Sequence, residues 1–132
     1  MIYLPDTNAG IAYVNPGDSL VKSRFRAHQP ADIAFCAVVK VELLYGAYRS
    51  ARREDNLRLL VTLFRQFESL PFDDTAVETY GRIRTDLAMR GTPISPNDLM
   101  IASIALVHHL VLVTHNTREF GRVAGLQMED WQ

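Results

Sequence analysis

Short apolar runs alternate with longer stretches of helical periodicity along this chain, and no other feature restricts its fold so tightly. Residues 2–4, 33–36, 70–72 and 111–114 each suit a short buried strand, and Val111-Leu112-Val113-Thr114 is the best of them. Between them the apolar positions recur at helical spacing, as in Val38, Val41, Leu44, Tyr45 and Tyr48. The same spacing returns in Leu57, Leu60, Val61, Leu63, Phe64 and Phe67. Strands separated by helices pair in parallel through crossover connections. The pattern therefore predicts an α/β domain with a mostly parallel sheet.

The punctuation agrees with this reading. Pro5 closes the first strand and lacks a backbone donor, which suits a strand end or an edge. A helical turn or two over residues 8–14 stops at Asn15-Pro16-Gly17-Asp18, a dense turn signal. Residues 19–28 read as a polar helix and residues 49–55 as a charged bend. Asp73-Asp74-Thr75 can cap a helix running to Arg90, and Gly91 ends it. Ser95-Pro96-Asn97-Asp98 starts the next helix, with serine as cap, proline first and an acid three residues after the cap. Residues 99–108 are nearly all apolar, so that helix should be deeply buried. Beyond residue 114 the chain reads as loop and tail. No repeat or linker interrupts the 132 residues, which form one domain long enough to bury a core.

Composition narrows the classes of function. Apolar residues make up 48% and charged residues 22%, the profile of a soluble globular protein. No apolar run approaches the ~20 residues of a membrane-spanning helix, and the N-terminus carries no basic-then-apolar signal. The single cysteine, Cys36, reads as a buried free thiol. The expected setting is the cytoplasm, with no membrane partner. Twelve of the fourteen cations are arginine, whose planar fork suits phosphate and carboxylate. A net charge of -1 leaves no footprint for a polyanion, so charge permits a nucleic-acid partner without requiring one.

Ligands of open parallel sheets bind beyond the carboxyl ends of the strands. Asp6 follows the first strand, and Asn116 lies just past the strand at 111–114. Glu42 and Asp98 are expected in the first turns of helices after connections at 37–40 and 91–95. All four then point to one edge. Close carboxylates raise one another's pKa or need a cation, and oxygen ligands favour magnesium or manganese over zinc. A hard ion held by two or three carboxylates can activate water and stabilise charge on a phosphoryl oxygen. Each acid also has a purely structural reading. Asp6 can cap a helix, Glu42 can complement a helix dipole, and Asp98 can complete a capping box with Ser95. Residue by residue, both readings stay open.

Taken together, the segments resemble a known family. Tyr3-Leu4-Pro5-Asp6-Thr7-Asn8 resembles the opening Asp-Thr-Asn motif of PIN-domain ribonucleases. Val41-Glu42-Leu43-Leu44-Tyr45-Gly46-Ala47 is similar to their second motif, and Ile94-Ser95-Pro96-Asn97-Asp98-Leu99-Met100-Ile101-Ala102 to their third. Val113-Thr114-His115-Asn116-Thr117-Arg118-Glu119-Phe120 resembles the fourth, and residues 125–131 resemble the ending of the VapC toxins. The resemblance implies a three-layer α/β/α PIN domain over residues 1–132, with a short, mostly parallel central sheet. It implies a type II toxin: a Mg2+-dependent endoribonuclease (Mn2+ in its place) acting on structured RNA such as transfer or ribosomal RNA. A cognate antitoxin would hold it inactive, and the chain would form a homodimer or a larger toxin–antitoxin complex. By position, Asp6 and Asp98 would be the main metal ligands, and Glu42 would complete the cluster directly or through water.

Asn116 departs from that pattern, since many PIN domains carry a fourth aspartate there. Asparagine can ligate weakly through its carbonyl but brings no charge. Glu119 is a candidate substitute, or a surface acid paired with Arg118 or Arg122. Thr7, Asn8 and Thr114 suit a role in holding acids and waters in place, and Thr7 or Asn8 can cap the next helix while Asp6 faces the metal. His115 reads as an exposed loop histidine. Arg49, Arg52 and Arg53 suit a phosphate contact, a solvated bend or an antitoxin contact equally. Two rival readings exist. A haloacid-dehalogenase-type phosphatase or receiver domain also ends its first strand in aspartate, but would want a lysine late in the chain, and none follows Lys40. A PIN-fold binding module without activity is the other, and Asn116 is the feature in its favour.

Overall fold

The computed structural model describes residues 1–132. The first half of the chain runs β1 (Tyr3–Pro5), α1 (Thr7–Val14), α2 (Leu20–Ala27), β2 (Ala34–Cys36), α3 (Ala37–Arg49) and α4 (Arg53–Phe64). The second half runs β3 (Glu68–Leu70), α5 (Asp74–Met89), α6 (Pro96–Val107), β4 (Val111–Val113), α7 (Thr117–Phe120) and β5 (Met128–Glu129). Every strand pair is parallel. β1 pairs with β4 in the register Tyr3↔Val111, β4 with β5 as Leu112↔Met128, and β2 with β3 as Ala34↔Glu68. A bridge between Tyr3 and Ile33 joins the two ladders, giving the spatial order β3-β2-β1-β4-β5.

The strand-and-helix alternation thus folds as the periodicity predicts, with three local corrections. The third strand lies at Glu68–Leu70 rather than 70–72, because Pro71 lacks the N–H that a continuing ladder needs. The charged bend is shorter than expected, since α4 already begins at Arg53. The tail is ordered into α7 and β5: Leu112 N–H donates to Gln127 O at 2.9 Å and Thr114 N–H to Glu129 O at 3.0 Å. β5 has no apolar run of its own and exists by completing the free edge of β4.

Pro5 is the last residue of β1, on an inner strand, and it explains why the sheet is split. Successive N–H groups of a strand turn to opposite sides. Asp6 N–H turns to β4 and donates to Val113 O at 3.0 Å. The Pro5 nitrogen therefore faces β2, the side on which β1 makes a single bridge and no ladder. With no N–H to give, it ends that pairing after Tyr3 and leaves the β1–β4 ladder whole.

Helices cover both faces of the sheet. Neighbouring strand residues point to opposite faces, yet Ala34, Phe35 and Cys36 are all fully buried, as are Leu4 and Leu112. α6 is buried nearly all round, through Leu99, Ile101, Ala102, Ser103, Ile104 and Ala105. Its one buried hydroxyl, Ser103 Oγ, donates to Leu99 O at 2.7 Å. Phe35 anchors an aromatic cluster with Phe67 at 5.1 Å, Phe25 at 6.3 Å and Phe64 at 6.4 Å between ring centroids. Gly10 lets α1 approach α3, since a Cβ there would stand 3.4 Å from both Leu43 and Phe35.

The topology dictates where a ligand can sit. The chain leaves β1 towards β2 and leaves β4 towards β5, in opposite directions. Connections that part in this way open a crevice at the carboxyl ends of the two strands. Truncating the core beneath it should be expensive. Phe35→Ala is expected to destabilise the fold by about 3–5 kcal/mol, read as a lower urea midpoint with unchanged slope.

Candidate active site

Asp6 stands at that crevice as the N-cap of α1. Its backbone is extended, with φ -77° and ψ 179°, and Oδ1 accepts the Ala9 N–H at 2.9 Å. Oδ2 accepts the Thr114 hydroxyl at 2.6 Å, and both residues are buried. Of the capping alternatives left open by the sequence, Asp6 rather than Thr7 or Asn8 is the one that forms. Asp6 caps the helix itself, and each of its oxygens keeps a lone pair for another partner.

Glu42 also differs from expectation. β2 runs straight into α3 with Cys36 at the cap, so Glu42 lies in the second turn of α3 and cannot act on the dipole of a first turn. Its carboxylate is held from two sides. The Thr7 hydroxyl donates to Oε2, and the Asn97 amide donates to Oε1 at 2.7 Å.

Asp98 lies in the first turn of α6, as predicted, and its N–H donates to the Ser95 hydroxyl at 3.4 Å. The returning half of the capping box comes from elsewhere. Ser95 N–H donates to Glu119 Oε1 at 3.1 Å, so the backbone partner that a capping box would give Asp98 is taken. Glu119 Oε2 accepts the Asn116 amide at 2.9 Å, and Asn116 N–H donates to Thr114 Oγ1 at 3.0 Å. One arc of hydrogen bonds therefore runs from Asp6 through Thr114, Asn116 and Glu119 to Ser95 and Asp98. Glu119 is engaged in this arc and forms no ion pair with Arg118 or Arg122.

An open cleft of about 650 Å³ lies between these segments, walled by Thr7, Asn8, Glu42 and the turn from Ser95 to Asp98. Hydroxyls, amides and carboxylates dominate the wall, which suits a charged, hydrated ligand better than an apolar one. Burial pushes the Asp6 carboxyl up, with Glu42 and Asp130 adding to the rise; the Thr114 and Ala9 hydrogen bonds oppose it. Burial also raises Asp98, against its hydrogen bond with Ser95, and the charges of Glu119, Asp6 and Glu42 raise it further. The Asn116 amide holds Glu119 below the ordinary carboxylate range. The four acids thus share one electrostatic field.

No three acid, histidine or cysteine side chains form a ready-made metal cage. The donor set nonetheless fits a hard divalent cation: it is all oxygen, and positive charge would offset the cost of ionising Asp6 and Asp98 together. Asn8 lines the cleft, and Asn97, read from sequence only as part of a helix start, proves to be a site residue. His115 is exposed and pairs with Asp130 at 2.8 Å. The arginines at the start of α4 lie outside the cleft, where Arg52 and Arg58 pair with Asp55 and Arg53 bonds Tyr48 O. Arg49 stacks on Tyr45 at 4.6 Å.

This parallel α/β fold, with carboxylates beyond the carboxyl ends of its central strands, is that of a PIN-type domain, and comparison with known proteins agrees. The PIN domain profile matches residues 3–126. A tRNA(fMet)-specific endonuclease VapC of Shigella flexneri is 38% identical over 129 residues, covering 98% of this chain and 97% of that protein. Among solved structures, DNA-bound VapBC from Salmonella typhimurium superposes with a TM-score of 0.93 at 35% identity, covering 100% of this chain and 99% of that one. VapBC2 from Rickettsia felis, bound to a DNA fragment from their promoter, superposes with a TM-score of 0.90 at 32% identity, covering all of both chains. The chain belongs to the PIN domain family, among its VapC ribonucleases.

The raised carboxyls have a consequence for stability. An acid whose folded pKa exceeds its unfolded one costs nothing below the unfolded value, about pH 4, and destabilises increasingly as pH rises through the folded value. In chelator, Asp98→Asn should therefore melt above the wild type at pH 7.5, and the gap should close towards about pH 3.5. Thermal melts across that range check it.

Proposed function

We propose that this chain is the toxin of a type II toxin–antitoxin pair, a Mg2+-dependent endoribonuclease that also accepts Mn2+. Its substrate on this reading is structured RNA, transfer RNA before ribosomal RNA, because the Shigella relative carries a tRNA(fMet)-specific name. A cognate VapB-like antitoxin holds it inactive, and it assembles as a homodimer or within a larger toxin–antitoxin complex, in keeping with the VapBC structures it resembles. Residues 1–132 act as one PIN unit. The observation that carries the reading is that Glu42 and Asp98 line one polar cleft, with Asp6 and Glu119 bonded to the segments beside it.

Each acid has its own support. Thr114 and the Ala9 N–H aim Asp6, Thr7 and Asn97 restrain Glu42, and the Ser95 turn presents Asp98. Asp6 and Asp98 are assigned as the main ligands, with Glu42 completing the acidic cluster. Glu119 supplies beside Asn116 the carboxylate that Asn116 lacks, which weakens the rival reading of an inactive binding module. Asn8 and Thr7 border the space left for a backbone phosphate. A bound divalent ion supplies charge neutralisation at the phosphoryl oxygens and an activated water.

Purified protein is expected to cut transfer RNA with Mg2+ and to stop when EDTA is added. Asp6→Asn or Asp98→Asn should each slow cleavage on the order of 100-fold. Undiminished cutting by Asp98→Asn, or none of any structured RNA by the wild type, would refute these roles. Expression of the chain alone should arrest growth, and co-expression of the adjacent antitoxin frame should restore it; unimpaired growth counts against a toxin.

A further inference from the structure

Asn97 carries no duty in starting α6. Ser95 is the cap and its hydroxyl takes the Asp98 N–H; Pro96 fills the first position; Glu119 takes the Ser95 N–H. Nothing in that arrangement calls for an amide at position 97. The one side-chain hydrogen bond that Asn97 makes reaches across the cleft to Glu42 Oε1, at 2.7 Å. An ionised carboxylate only accepts, so the amide must turn its nitrogen towards Glu42.

Glu42 needs such a restraint. A glutamate is free to turn about several side-chain bonds, and each must be held if its carboxylate is to act at one point. Thr7, from the helix that Asp6 caps, holds Oε2; Asn97, beside Asp98, holds Oε1. Glu42 is thereby tied to the segments of both other acids. Were the Asn97 contact absent, only the α1 side of the cleft would constrain it.

We propose that Asn97 is a positioning residue that fixes the Glu42 carboxylate beside Asp98, in the orientation from which it serves the divalent ion. This rests on the metal-dependent ribonuclease reading above. Asn97 itself need touch neither ion nor phosphate.

Wild type, Asn97→Ala, Glu42→Ala and the double variant, each as the full chain, would be titrated with Mn2+ by calorimetry and assayed for transfer-RNA cleavage. Asn97→Ala should weaken Mn2+ binding and slow cleavage, each about tenfold. Its circular dichroism and melting temperature in chelator should match the wild type, because position 97 is exposed. In the Glu42→Ala background the same substitution should change neither Mn2+ affinity nor rate, because its only target is gone. Equal losses in both backgrounds, or no loss in either, would overturn the assignment while leaving the ribonuclease reading standing. A wild type that neither binds Mn2+ nor cuts RNA would overturn both.

Discussion

The hydrogen bond between Thr114 and Asp6 is the contact on which the rest of this site depends. It spans 2.6 Å across the carboxyl ends of β1 and β4 and joins residues 108 apart in the chain. Without Thr114 the buried Oδ2 of Asp6 would lose the only donor it has, which costs free energy, so neither partner is free to move alone. Through Asp6 the contact starts α1, and through Thr114 Oγ1 it receives the Asn116 N–H. One buried pair therefore sets the entry to a helix, the closure of the central strands and the aim of a site carboxylate.

The opposite wall is organised by a division of work between two acids. Glu119 has taken over the backbone duty that a capping box would assign to Asp98, and the Asn116 amide favours its charged form. Asp98 is left with a neighbouring hydroxyl and three negative neighbours, so its charge is unfavourable in the absence of a cation. The structural task falls to the acid that is easily ionised, and the other is reserved for the cleft.

Much of this was legible in the chain, and the exceptions have local causes. The burial of α6 could be read because its residues are apolar on every side, and Asp6 could be placed because an apolar run ends just before it. Glu42 lies a turn deeper in α3 than its sequence suggests, because the helix begins directly after Cys36, which carries no capping signal. β5 was unreadable, since Met128 and Glu129 become a strand only against the open edge of β4. Asp6 as its own cap is one alternative among others in the sequence, because aspartate, threonine and asparagine are all good capping residues. Asn97 hid within a helix-start signal that was complete without it; only the distance to Glu42 reveals it. Pro5 needed the strand order, because its missing donor matters only once β2 is known to lie on that side.

The register Tyr3↔Val111 also carries an implication for biosynthesis. On a ribosome, β1 finds its principal neighbour β4 only after β2, β3 and the helices α1 to α6 have been made. Until then Asp6 lacks Thr114, and the Ser95 turn lacks Glu119. A nascent chain holds the acids of the cleft without the contacts that assemble them. The order of the strands thus delays the site until β4 and α7 have left the ribosome, long after Asp6 and Glu42 have.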